Sequence, residues 1–130
     1  MTTTPVARPD YEAHVRATRS TFPEVVREVR DILGARLCAY LGSVKETRAV
    51  HQWVDGSRRP NADVQRRLRT ALQAAAPIAA ADSAGVAQAW FQGLNPQLDD
   101  RSPLRLLREG DLDEVGPDVI AAARAFLAGG

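Results

Sequence analysis

A single cysteine, Cys38, in a chain of 130 residues rules out an internal disulfide and fits a reducing cytoplasm. Two tryptophans, two tyrosines and three phenylalanines are the whole aromatic complement. With alanine supplying much of the apolar content, that scarcity favours helices over a sheet. No apolar run approaches the roughly 20 residues of a membrane span, and Met1-Thr2-Thr3-Thr4-Pro5 does not read as a signal peptide. Alternating strand patterns, internal repeats and low-complexity tracts beyond the alanines are missing. So are a glycine-rich phosphate loop and any metal-ligand spacing. His14 and His51 stand far apart, one in a loose tail and one on a polar helix face, Cys38 lies on an apolar face, and Asp99-Asp100 is a pair of acids in a turn. Nothing here assembles a catalytic, metal or cofactor site, so the expectation is a cytoplasmic non-enzyme with no cofactor.

What is present is a charge asymmetry. Residues 1–76 carry 13 Lys/Arg against 8 Asp/Glu, a net of +5, and residues 77–130 carry 4 against 8, a net of −4. A basic front half suggests a polyanionic partner, and an acidic back half excludes the whole surface from that role.

The helical pattern is legible along most of the chain. Residues 1–20 contain Pro5, Pro9 and three early threonines and read as a flexible segment. Within it a short helix over 11–18 has only a weak face, and Arg8, Arg16 and Arg19 form either a phosphate-touching arm or a solvated tail. Thr21-Phe22-Pro23-Glu24 has capping-box spacing, Val25, Val29, Ile32 and Leu33 make one helical face, and Gly34 stops it. A second helix over 35–41 turns Leu37, Cys38 and Leu41 inward and ends at Gly42. A third, over 46–55, has Val50, Trp53 and Val54 inside and ends at Gly56. Asn61 caps a long fourth helix with Val64, Leu68 and Leu72 as its stripe, and Pro77 is expected to kink or end it. Asp82 or Ser83 caps a fifth helix over 83–93 carrying Val86, Trp90 and Phe91. Asn95-Pro96 forces a turn, and Ser102-Pro103 starts a short helix that stops at Gly110. The last helix, over 112–127, is expected to be disturbed by Gly116-Pro117. The fold class is all-α: a helix-turn-helix bundle over 21–76, then a small helical domain over 77–130.

Residues 35–60 run helix, turn, helix, basic turn. In such a unit the second helix enters the major groove, its outward polar residues meet base edges, and flanking cations and amides bind phosphates. Lys45 and Thr47 lie at the start of that helix, where the dipole also favours phosphate. Arg48, His51 and Gln52 occupy the face away from the core, and Arg58 and Arg59 follow in a loop stiffened by Pro60. These seven residues form the expected DNA-binding set. The competing reading is a helical bundle with a solvated basic face.

Val50-x-x-Trp53-x-x-Gly56-x-x-x-Pro60 resembles the recognition-helix end of Xre-type helix-turn-helix proteins, with a turn, Ser43-Val44-Lys45, longer than is usual there. Trp90-Phe91, Asn95-Pro96-x-Leu98 and Pro103-Leu104-x-Leu106-Leu107-x-x-Gly110 resemble the C-terminal domain of Xre/MbcA/ParS-type antitoxins, in the same module order. The resemblance spans about residues 23–130. It implies a DNA-binding antitoxin that represses its own operon and blocks a RES-domain toxin that consumes NAD. Because one such helix contacts too few bases for useful specificity, the expected form is a homodimer. In that family the blocking element is the C-terminal end, here Phe126, Leu127, Ala128, Gly129 and Gly130. This end is less bulky than the family's usual one, and Val115-Gly116-Pro117-Asp118 looks like an insertion. Two alternatives stand beside the antitoxin: a helix-turn-helix regulator whose C-terminal domain only dimerises, and a protein-interaction adaptor that binds no DNA.

Overall fold

A computed structural model of the chain describes Tyr11 and residues 20–129. The short helix expected over 11–18, Arg8, Arg16, Arg19 and His14 therefore lie outside the described residues, Tyr11 excepted. Residues 20–129 form seven α-helices and one 3-10 turn, in an all-α fold. They are α1 (Phe22–Leu33), α2 (Ala35–Leu41), α3 (Thr47–Asp55), α4 (Ala62–Ala81), α5 (Ala84–Gln92), the 3-10 turn (Pro96–Leu98), α6 (Pro103–Glu109) and α7 (Leu112–Gly129). Among the described residues the extended pairing amounts to one isolated bridge between Asn95 and Arg101.

Local chemistry starts most of these helices. A helix leaves its first amides without carbonyl partners, and a short polar side chain just before it can accept from one of them. Thr21 Oγ1 accepts from the Glu24 amide at 3.4 Å, Asn61 Oδ1 from Val64 at 2.9 Å, Ser83 Oγ from Val86 at 3.1 Å and Ser102 Oγ from Arg105 at 3.1 Å. Asp111 does the same for α7, with Oδ1 accepting from the Asp113 amide at 3.0 Å. Asn95 Oδ1 accepts from Gln97 at 2.9 Å and so holds the turn at Pro96. Gly34 closes α1 with φ 89°, a left-handed value that an L side chain would strain.

α4 is the axis of the molecule and packs against α1, α2, α5, α6 and α7, while α3 lies on α1 and α2. Buried apolar residues form one continuous core from Phe22 to Ala123, and among the described residues no polar or charged residue is buried in it. The division expected at residues 76/77 falls inside α4, whose buried Ala75, Ala76, Pro77 and Ile78 carry that core without a break.

Neither proline ends its helix. α4 continues four residues beyond Pro77 to Ala81, and α7 runs through Gly116-Pro117 without interruption. A proline inside a helix removes one hydrogen bond and crowds the preceding turn. Here Pro77 is itself buried, flanked by fully enclosed Ala74, Ala75 and Ile78. Pro117 sits near the start of α7, followed by buried Val119, Ala122 and Ala123. Packing on both sides of each proline outweighs the local penalty.

Candidate nucleic-acid interface

α3 separates its two faces cleanly. Ala49, Val50 and Trp53 are buried, and Trp53 stacks obliquely on Phe22 of α1 with ring centroids 6.3 Å apart. At 100° per residue, the opposite side belongs to Arg48, His51 and Asp55, flanked by Thr47 and Gln52. Arg48 and His51 are exposed, and Thr47 and Gln52 are half-buried. Lys45, Arg58 and Arg59 are exposed in the segments on either side.

The turn between α2 and α3 absorbs its extra length in two ways. Ser43 adopts a left-handed backbone, φ 57°, and Val44 folds back so that its amide donates to the Ala39 carbonyl at 3.0 Å. Val44 thereby packs against the core. Gly42 lets the Trp53 ring pack against the start of this turn, because a Cβ there would lie 2.4 Å from the ring. After α3, Gly56 turns the chain with φ 80°, and the Arg58 amide donates back to the Gln52 carbonyl at 3.3 Å. That bond folds the basic loop against the end of α3.

The result is a shallow depression of about 430 Å³ whose rim carries Lys45, Glu46, Arg48, Gln52 and Arg58 over Val44 and Ala49. Four residues of the sequence-derived set, Lys45, Arg48, Gln52 and Arg58, therefore converge. Thr47, His51 and Arg59 lie outside this depression. Two carboxylates share the region. Glu46 precedes α3 and makes no side-chain bond to its first turn. Asp55 accepts from the Ser57 amide at 2.8 Å. Hydrogen bonding to Ser57, first from its hydroxyl and then from its amide, holds the Asp55 carboxyl below its ordinary range, and His51 adds to this. Asp55 is thus an anion engaged in shaping the loop that presents Arg58.

The arginines of α4, expected simply to lie off its apolar stripe, have distinct tasks. Arg66 pairs with Asp113 of α7, and Arg69 donates to the Ser20 carbonyl at 2.9 Å. Arg67 reaches the turn before α3, donating to the Leu41 carbonyl at 2.7 Å and to Ser43 Oγ at 3.2 Å. Sequence reasoning missed this role, because nothing in local spacing distinguishes Arg67 from its neighbours.

The proposed toxin-binding end is placed differently. Residues 126–129 continue α7, and Gly130 lies outside the described residues. Leu127 packs on the core, Ala128 and Gly129 are exposed, and Phe126 is 41% exposed. The Phe126 ring lies 6.4 Å from that of Trp90, which meets Phe91 edge-on at 5.1 Å. Beside them Leu94 is 74% exposed. Together Trp90, Leu94, Pro96 and Phe126 edge a second depression of about 440 Å³.

Cys38 is fully enclosed, and burial pushes its thiol up to about 12 against a weaker opposing pull from Arg30. It is packing material. Among the described residues no cluster of His, Cys, Asp and Glu is arranged to hold a metal ion, and no helix is long and apolar enough to cross a membrane. Comparisons with protein-family models, with curated proteins and with solved structures returned no match to this chain.

Proposed function

We propose that the chain binds double-stranded DNA through α3 and its flanking segments, and acts as the DNA-binding antitoxin of a toxin–antitoxin pair. The observation that carries the DNA part is the convergence of Lys45, Arg48, Gln52 and Arg58 on one face of α3, opposite buried Val50 and Trp53. Arginine, lysine and glutamine are the side chains that pair with base edges and phosphates in a major groove. One such helix contacts too few bases for useful specificity, so the working form is a homodimer on a two-fold operator.

The antitoxin part rests on the resemblance of residues 88–126 and on the exposed apolar surface of Leu94 and Phe126. Its partner is a RES-domain toxin that consumes NAD, and binding of toxin and of operator are then linked reciprocally. A second reading drops the toxin and keeps a cytoplasmic regulator whose C-terminal half only dimerises. It is favoured by the continuation of α7 to Gly129, which makes residues 126–129 part of a helix instead of a free plugging peptide.

Titration of duplex DNA across a salt series tests the first claim. About six phosphate contacts give a log–log slope near −5, and a slope near zero ends the DNA reading. Co-expression with the neighbouring reading frame tests the second: stable retention of a RES-type protein supports the antitoxin, and its loss on purification supports the plain regulator.

A further inference from the structure

α4 supplies no residue to the depression around α3, yet one of its side chains is built into the turn that presents it. The last carbonyls of a helix have no partner within the helix and need one from elsewhere. At the end of α2, one nitrogen of Arg67 donates both to the Leu41 carbonyl, at 2.7 Å, and to Ser43 Oγ, at 3.2 Å. Ser43 is the left-handed residue of that turn, a conformation costing about 1 kcal/mol or more for a side chain that is not glycine. Two residues later comes Lys45, and four later Thr47 opens α3. The guanidinium is half-buried, and burial pulls it below its ordinary range, opposed by Asp63 and reinforced by Arg108. It stays a cation in water at any ordinary pH.

We infer that Arg67 is the positioning residue of the DNA-reading surface: it pins the α2–α3 turn and so sets how Lys45, Thr47 and Arg48 are presented, without touching DNA itself. This inference rests on the DNA reading proposed above, and it makes a distinction that contact residues do not. A residue that binds a phosphate lowers affinity and also flattens the salt dependence when removed. Removing a positioning residue lowers affinity by loosening the turn that presents Lys45 and Arg48, and so also speeds amide exchange in that turn.

The test uses the full chain and a pool of random-sequence duplex, with Arg67→Met, Arg67→Lys and Ser43→Ala compared across a salt series. Arg67→Met is expected to weaken binding about tenfold, the scale set by losing a charge-assisted hydrogen bond to a turn. Amide exchange at residues 43–47 accelerates in step with that loss. Arg67→Lys, which keeps a cation within reach of the same acceptors, restores most of the affinity and the slow exchange. Ser43→Ala removes one acceptor and gives a smaller loss with a smaller rise in exchange, which keeps the test open if Arg67→Met fails to fold. Weakened binding with parent-like exchange at residues 43–47 would make Arg67 a direct contact and overturn the inference. Parent-like affinity and exchange in Arg67→Met would overturn it equally. If the parent chain binds no duplex, the DNA reading falls, while exchange at residues 43–47 still decides whether Arg67 holds the turn.

Discussion

The two surfaces offered for recognition are built on opposite principles. Around α3 the exposed groups are cations and hydrogen-bonding side chains, held out by a backbone whose turns are pinned by Gly42, Ser43, Gly56 and Arg67. At the second surface, the segment after α5 and the end of α7 expose apolar groups, Leu94 and Phe126, beside Trp90. Charged surface at the first site is hydrated and suits a hydrated polyanion, with affinity that depends on salt. Apolar surface at the second suits another protein, because its removal from water is the driving force and salt matters little. One chain thus has two surfaces whose responses to solution conditions are separable, although both rest on one core.

The largest effect is expected at the charged surface. Arg48→Ala, Arg58→Ala and Arg59→Ala together should abolish measurable duplex binding while far-UV circular dichroism and the thermal midpoint stay close to the parent, since all three side chains are exposed. Duplex binding that survives this triple change would place the DNA surface elsewhere. The comparison is sharpened from the other end by Leu94→Asp with Phe126→Asp. That pair should eliminate retention of the RES-type partner while changing duplex affinity less than about twofold; where this surface instead holds the homodimer together, self-association and duplex affinity should fall together. Loss of DNA binding in parallel would show that the two surfaces are not independent in this respect.

Smaller effects probe the scaffold beneath the charged surface. Gly42→Ala puts a methyl against the Trp53 ring, where a Cβ would come within 2.4 Å. Over-packing of this kind costs about 1–3 kcal/mol, which should appear as a lowered midpoint in thermal denaturation. The same change at Gly85, where the nearest outside atom is 3.8 Å away, should be neutral or mildly stabilising because it replaces glycine in a helix. Least of all, Cys38 should resist alkylation in the native state at neutral pH and react once the chain is unfolded. Its folded thiol is pushed up to about 12 from an ordinary 9.0. The protonated form is therefore favoured by folding, and its contribution to stability is complete below pH 9 and is lost as pH climbs toward 12. A Cys38→Ala variant should show a weaker loss of stability over that alkaline window in denaturant titrations.

Much of this was readable along the chain, and the particular residues show why. Thr21, Asn61, Ser83, Asn95 and Ser102 each satisfy an amide two or three positions onward, so short-range pattern suffices to find them. Val50 and Trp53 announce themselves as a core face by their spacing. The shared side of Arg48 and Gln52 follows from the same helix geometry, while Lys45 joins them through the turn before α3 and Arg58 through a loop that the sequence marked only as basic and stiff. Arg67 was invisible because its acceptors are 26 and 24 residues away. Phe126 and Trp90 lie 36 positions apart in sequence, and the packing of α7 on α4, α6 and the 3-10 turn brings that end of the chain back to Trp90.

The prolines mark the boundary between the two kinds of information. By itself the sequence determined the helices and their starts, because those depend on backbone groups within one turn of each other and on a hydrophobic period that survives in one dimension. Tertiary structure decided that α4 and α7 continue past Pro77 and Pro117, that one core runs through the boundary expected at residue 76, and that an arginine of α4 holds the turn before α3. Each of these is a contest between a local penalty of a few kcal/mol and burial contributed by residues distant in sequence, and only the assembled fold contains the second side of it.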